Sequence, residues 1–235
     1  MRPTIVLIWT SLGQVIKFHE ENASISMLEN DVFPFPRFRV SAGEYRLDQL
    51  EKSQQDISPE KIVPHDKYVK ENYLNDIALI KLENKVELGR FVRTVCLPSK
   101  EKKDLALAKK YGYVSGWGAK KVLRPAIDPQ PADYPNQLRH ASFQIQDNTI
   151  CQNSTEYTFE PDAMFCAGDG KGGSDACKGD SGGAFVREEN IGDRYRWVAA
   201  GIVSWGEGCA QRNKYGFYTR VYSYIDWIEK TMAEK

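Results

Sequence analysis

One serine sits among glycines in Gly179-Asp180-Ser181-Gly182-Gly183, and this pentapeptide is the strongest chemical signal in the chain. A serine hydroxyl is a weak nucleophile at its own pKa and works only beside a base. The glycines allow a tight turn whose backbone N–H groups face a substrate carbonyl, and each such donor is worth about 2.7–4 kcal/mol in the transition state. A histidine should supply the base, and a buried aspartate should hold that histidine. Asp76 opens the apolar run Ile77-Ala78-Leu79-Ile80, so its carboxylate enters the interior with a strand. The histidines are three, His19, His65 and His140, and none adjoins a motif that marks a base.

The elements that must position these groups read as strands. Short β-branched and aromatic runs bounded by Gly, Pro, Asn and Asp recur over 112–117, 137–145, 197–205 and 216–221. The stretch 119–136 carries Pro125, Pro129, Pro131 and Pro135 and reads as an irregular loop. At the C-terminus, Ser223 and Asp226 form an S-x-x-D capping pattern before Ile225, Ile228 and Met232, a helix with one apolar stripe. The fold class expected is all-β with a terminal helix.

Bulk properties narrow the partners. The 235 residues fit one compact unit or two small packed barrels, and 41% hydrophobic residues suffice for a core. Lysine plus arginine and aspartate plus glutamate both number 32, so no net field favours nucleic acid. No apolar run approaches the roughly 18 residues of a membrane span. Arg2 followed by Ile5-Val6-Leu7-Ile8-Trp9 and Ser11-Leu12-Gly13 fits either a short signal peptide or an ordinary buried strand. Asn22-Ala23-Ser24 and Asn153-Ser154-Thr155 fit the N-glycosylation acceptor pattern. Five cysteines, Cys96, Cys151, Cys166, Cys177 and Cys209, suggest an oxidising, extracellular compartment.

Taken in order, the motifs resemble the trypsin/chymotrypsin family of serine endopeptidases. Those motifs are Val40-Ser41-Ala42-Gly43-Glu44-Tyr45, Asn75-Asp76-Ile77-Ala78-Leu79, Val95-Cys96-Leu97-Pro98, Ser115-Gly116-Trp117-Gly118, Met164-Phe165-Cys166-Ala167-Gly168 and Cys177-Lys178-Gly179-Asp180-Ser181-Gly182-Gly183. The stretch from Trp197 to Trp227 is similar to the complement-activating members, including the mannan-binding-lectin-associated type. The resemblance implies two barrels: an unmatched leader over 1–34, a truncated first barrel and linker over 35–110, and a second barrel with the terminal helix over 111–235. Three first-barrel strands are expected between Arg37 and Leu82.

The resemblance also assigns roles. It makes Ser181 the nucleophile, Asp76 the group that orients a histidine, and the N–H groups of Gly179 and Ser181 the oxyanion hole. It places Asp175 at the base of the primary specificity pocket, with Ser204, Trp205, Gly206 and Gly216 on its walls. A buried carboxylate there selects Arg or Lys. Asp180 would pair with an Ile or Val N-terminus freed by zymogen cleavage, but the chain has no R-[IV]-[IV]-G-G segment. The implied disulfides are Cys151–Cys166 and Cys177–Cys209, leaving Cys96 as a tether to an upstream chain or as a buried thiol. Protein substrates and protease inhibitors are the implied partners. No cofactor and no metal are expected, although Glu44 and Glu51 lie near a loop that binds calcium in some relatives.

The histidine breaks the pattern. Its motif, T-A-A-H-C, would fall near Asn30-Asp31-Val32, where no histidine stands. By resemblance His65 belongs to a surface loop and His140 to a second-barrel strand, and His19 lies in the unmatched leader. An incomplete or misjoined N-terminal sequence explains this, and so does a true pseudoprotease. The retained catalytic residues favour the first. The two functions in competition are a peptidase cutting after Arg or Lys through an acyl-enzyme, and a protease-like module that binds without cutting.

Overall fold

The computed structural model describes residues 6–9, 15–16, 39–100, 108–120, 133–191 and 193–234. His19, Asn22 and the Asn30–Val32 stretch, with most of the proline-rich loop, lie outside the described residues.

Among the described residues twelve strands run in chain order. They are β1 (Val6–Trp9), β2 (Val15–Ile16), β3 (Val40–Ala42), β4 (Gln55–Ile57), β5 (Pro59–Pro64), β6 (Ala78–Leu82), β7 (Tyr111–Gly116), β8 (Arg139–Gln144), β9 (Met164–Ala167), β10 (Ala184–Ile191), β11 (Arg194–Gly206) and β12 (Gly216–Arg220). Helix α1 (Asn148–Asn153) precedes β9, and α2 (Ile225–Ala233) ends the chain after a 3₁₀ turn over Val221–Tyr224. The protein is therefore all-β with a terminal helix, as the sequence indicates.

The C-terminal half is one six-stranded sheet in the order β8-β7-β10-β11-β12-β9. Its two edges meet where Ile145, just past β8, bridges Ala167 of β9. The bonds Gln146 N–H to Cys166 O and Gly168 N–H to Gln144 O continue that seam, so the sheet curls into a barrel and leaves little free edge. Alternation along the strands fills it with Val114, Phe143, Ile145, Phe165, Phe185, Ala200 and Tyr218, all at most 6% exposed.

The N-terminal half is built from shorter pieces. β3 pairs with β4, and β5 pairs antiparallel with β6. Four strands thus stand where three were expected between Arg37 and Leu82, β4 and β5 being separated by the single residue Ser58. β1 joins the other edge of β6 in parallel, Val6 opposite Ala78. Val40, Ala42, Ile57, Ile80, Leu82, Val86 and Val92 form the core here.

A third cluster joins the halves. Ile77 and Leu79 pack with Ile202, Val221, Tyr224, Ile225 and Ile228. Each fully buried aliphatic side chain contributes about 1.5–3 kcal/mol, so this seam holds β6 against β11 and α2. The expected S-x-x-D cap is not what starts α2. Its N-cap is Tyr224, without a side-chain cap bond. The 3₁₀ turn carries Ser223 one residue too early, and its hydroxyl donates instead to Asp162 O. Asp226 pairs with Lys100 at 2.5 Å. The apolar stripe of Ile225 and Ile228 is buried in the seam as expected.

Both implied disulfides are present, Cys151–Cys166 and Cys177–Cys209, with Cα separations of 5.6 and 5.4 Å. The second closes a span of 32 residues around the Ser181 loop. Chain-entropy arguments give such a loop about 3–4 kcal/mol. Replacing Cys177 and Cys209 by serine is expected to lower the unfolding free energy by that amount, read as a lower midpoint in urea.

Candidate functional site

Asp76 is fully buried in the seam. It closes the loop 65–76, which several local bonds lock. His65 N–H donates to Ile77 O, Val69 N–H to Leu74 O, and Asn75 Nδ2 to Lys67 O at 2.6 Å. Tyr224 Oη donates to Asn75 Oδ1 at 3.1 Å. Tyr73 and Asn75 both have φ of 57°. Asparagine tolerates this left-handed backbone, but a tyrosine there is strained by about 1 kcal/mol or more. The loop accepts that strain and so swings Asp76 inward. Ser204 Oγ donates to Asp76 Oδ2 at 2.6 Å, and Thr219 Oγ1 donates to Asp76 O at 2.8 Å.

The same β11 also holds the Ser181 loop. Val203, beside Ser204, accepts from Gly182 N–H at 3.0 Å and donates to Gly183 O at 2.8 Å. One strand thus holds Asp76 through Ser204 and the Ser181 loop through Val203. Gly179 and Gly182 have φ of 92° and 81°, the region that favours glycine. The amides of Asp180, Gly182 and Gly183 are consumed by Cys177 O, Val203 O and Asp180 O. Among the described residues the amides of Gly179 and Ser181 have no acceptor, and the Ser181 hydroxyl has no partner.

Asp180 turns away from Ser181. Its Oδ1 accepts from Gly118 N–H at 2.9 Å and its Oδ2 from Cys177 N–H at 3.0 Å. A Cβ on Gly116 or Gly118 would lie 1.8 or 2.3 Å from this carboxylate, so both positions must be glycine for it to enter. Two backbone amides therefore compensate its charge. A cavity of about 190 Å³ opens there, lined by Asp175, Asp180, Gly116, Gly118, Arg139 and His140 among others.

Asp175 is mostly buried, and that burial pushes its carboxyl up from 3.8 to about 6 despite bonds from the Ala210 and Ala176 amides. The Ala210 N–H reaches Oδ2 at 3.0 Å. A Cβ on Gly216 would sit 3.2 Å from Asp175 Oδ1, so the absent side chain leaves that oxygen reachable. Gly216 pairs with Gly206, the end of the Ser204-Trp205-Gly206 segment. Trp205 lies flat on Phe217, centroids 3.9 Å apart and 2° from parallel. Tyr73 stacks over it at 5.6 Å, and Tyr157 meets it edge-on at 5.6 Å. Sequence reasoning missed Tyr73 and Tyr157 because their positions beside Trp205 arise only when loops from both halves converge.

The described histidines do not serve this site. His65 packs its ring against Tyr224 at 5.5 Å and Trp227 at 4.8 Å, and burial holds its pKa below the ordinary value. His140 is exposed on β8 and lines the Asp180 cavity. Among the described residues no histidine contacts Asp76 or Ser181, and no cluster of acids, histidines or cysteines could hold a metal. Cys96 is unpaired and half-buried, bridged through its backbone to Val198.

Comparison with known proteins now decides the family. The trypsin family model matches residues 30–228. The chain belongs to the trypsin family. It is 36% identical over 197 residues to human "Serine protease 1", covering 84% of this chain and 72% of that protein. It is 37% identical over 197 residues to "Trypsin-3" of Salmo salar, covering 84% of this chain and 74% of the relative. The curled second barrel and terminal helix fit this family, and the two disulfides stand where the family resemblance implies them. A family of serine proteases makes proteins the natural substrate class. Among the described residues no helix is long and apolar enough to cross a membrane.

Proposed function

We propose that the chain is a trypsin-like serine endopeptidase domain that recognises an Arg or Lys side chain at Asp175. Ser181 is the nucleophile, Asp76 the orienting acid, and the Gly179 and Ser181 amides the donors for the oxyanion. The observation that carries this reading is Asp175. A carboxylate mostly removed from water, with one oxygen against bare Gly216, gains from pairing with a cation because burial disfavours its charged form despite two backbone amide bonds. Ser204, Trp205, Gly206 and Gly216 form the walls, and Trp205 with Tyr73 and Tyr157 offers an aromatic surface for residues preceding the scissile bond.

In this mechanism the Ser181 Oγ attacks the scissile carbonyl and its proton passes to a base. The unbonded amides of Gly179 and Ser181 receive the oxyanion, and the amine leaves to give an acyl-enzyme that water hydrolyses. This reading assigns every part except the imidazole, for which the sequence offers no T-A-A-H-C motif. A second reading rests on the sequence, where no histidine stands in a T-A-A-H-C motif: the domain binds basic side chains and inhibitors without cutting. The disulfides and the family support an extracellular setting. The Trp197–Trp227 stretch supports kinship with the complement-activating proteases, and unpaired Cys96 supports a covalent tether to an upstream chain.

The test is the pH dependence of binding to a fluorescent amidine such as p-aminobenzamidine. The amidinium stays charged across neutral pH, whereas Asp175 ionises near 6. Only the carboxylate pairs with it, so affinity should rise as pH climbs through 6 and level off above 7. Flat affinity from pH 5 to 8 would remove Asp175 as the recognition group. Labelling by a fluorophosphonate at Ser181, read as an adduct mass, separates the readings: a competent nucleophile labels and a pure binding module does not.

A further inference from the structure

We propose that Asn153 is N-glycosylated and carries its sugar at the aromatic rim of the substrate cleft, a proposal that rests on the extracellular reading above. Asn153-Ser154-Thr155 is an acceptor tripeptide, and the fold places it on the surface. Asn153 is the last residue of α1 and is exposed. Among the described residues its side-chain amide makes no hydrogen bond. The chain turns immediately afterwards, with Ser154 Oγ donating to Cys151 O at 2.8 Å. The exposed helix end leaves room for a bulky hydrophilic group.

The position joins the sugar to the cleft. Thr155 Oγ1 accepts from Tyr157 N–H at 3.0 Å and donates to Glu207 Oε1. Glu207 follows Gly206 in the wall segment and is clamped by Lys214 at 2.5 Å. Tyr157, four residues beyond Asn153, packs on Trp205. A glycan on Asn153 therefore stands beside the exposed Tyr157 and narrows approach to Trp205 from that side.

The same contacts set the timing. In the folded protein the Thr155 hydroxyl is engaged by Tyr157 and Glu207, and α1 is pinned by the buried Cys151–Cys166 bridge two residues away. An oligosaccharide-transferring enzyme needs an open tripeptide, so transfer must precede closure of that bridge. The donor is a lipid-pyrophosphate-linked oligosaccharide. Asn153 Nδ2 forms a bond to the sugar's reducing-end carbon, the sugar–phosphate bond breaks, the lipid pyrophosphate leaves with the electron pair, and Nδ2 loses one proton. Occupancy is thereby a race between transfer and disulfide formation.

The experiment translates the full chain behind a secretory signal peptide into glycosylation-competent microsomes, which separates the site from the question of native compartment. Enzymatic sugar removal in heavy-oxygen water should leave a tagged aspartate at 153. Asn153→Gln and Thr155→Ala should each lose one glycan, Thr155→Ser should keep it, and Asn22→Gln separates the other tripeptide. A Cys151→Ser/Cys166→Ser pair should raise occupancy at 153. An untagged asparagine at 153 in all molecules, with a control glycoprotein modified in the same microsomes, would overturn the site. Equal partial occupancy with and without the bridge would overturn the race.

Discussion

Expressed as this 235-residue chain, the protein should hydrolyse small arginyl amides about 10⁶-fold more slowly than a member of its family with a complete triad. Loss of the histidine alone costs about six decades in kcat in a protease of the same mechanism, or roughly 8 kcal/mol of barrier at 1.36 kcal/mol per tenfold. Nothing described around Ser181 offsets it. Asp76 is fully buried and accepts from the Ser204 hydroxyl. His65 is committed to Tyr224 and Trp227, and turning it inward would break that packing. Supplying a family-like N-terminal segment with the T-A-A-H-C motif, then cleaving it to free an Ile or Val amine, should restore cleavage after Arg or Lys. The measurement is single-turnover amide hydrolysis with and without that segment. Robust turnover by the chain alone that disappears in Ser181→Ala would sink the prediction, because some other residue would then be acting as base.

Asp175→Asn should weaken amidine binding at pH 8 by at least about 100-fold, since removing one partner of a buried ion pair costs roughly 3–5 kcal/mol. Asparagine keeps an acceptor for Ala210 N–H, so the loop should stay in place. The same substitution should stabilise the empty protein. Burial raises the Asp175 carboxyl from 3.8 to about 6, so the ionised form is the one the fold disfavours. Its stability contribution is complete below the unfolded-state value and is lost as pH rises through about 6. That displacement is worth up to about 3 kcal/mol at 1.36 kcal/mol per pH unit. The variant should therefore melt several degrees higher at pH 8 and hardly differently at pH 4. A variant that binds amidines normally, or melts lower at pH 8, would show that Asp175 is not a strained recognition group.

Much of the site is legible in the chain because its signals are local. The glycines around Ser181 mark a turn that only they can make, and the structure gives two of them positive φ. The apolar run behind Asp76 marks burial, and the residue is fully buried. Strand alternation and turn residues place β7, β8, β11 and β12 to within a few residues at each end, while β9 and β10 are not among the runs singled out. The terminal helix is equally visible as a stripe, although its start is not. A 3₁₀ turn moved the helix boundary past Ser223, and Asp162 O then competed for its hydroxyl.

Residue types and spacing by themselves marked the glycine turn around Ser181, the acid that enters the core and the all-β class. Tertiary structure alone decided where these groups meet. Asp76 and the Ser181 loop are joined through Val203 and Ser204, over a hundred residues from one and about twenty from the other, because β11 happens to run between them. The polarisation of Asp175 is likewise a product of burial beside Gly216, not of its neighbours in sequence. Local backbone preferences act over a few residues and leave a pattern in the chain. Desolvation and cross-barrel contacts depend on which surfaces finally exclude water, and no short pattern encodes them.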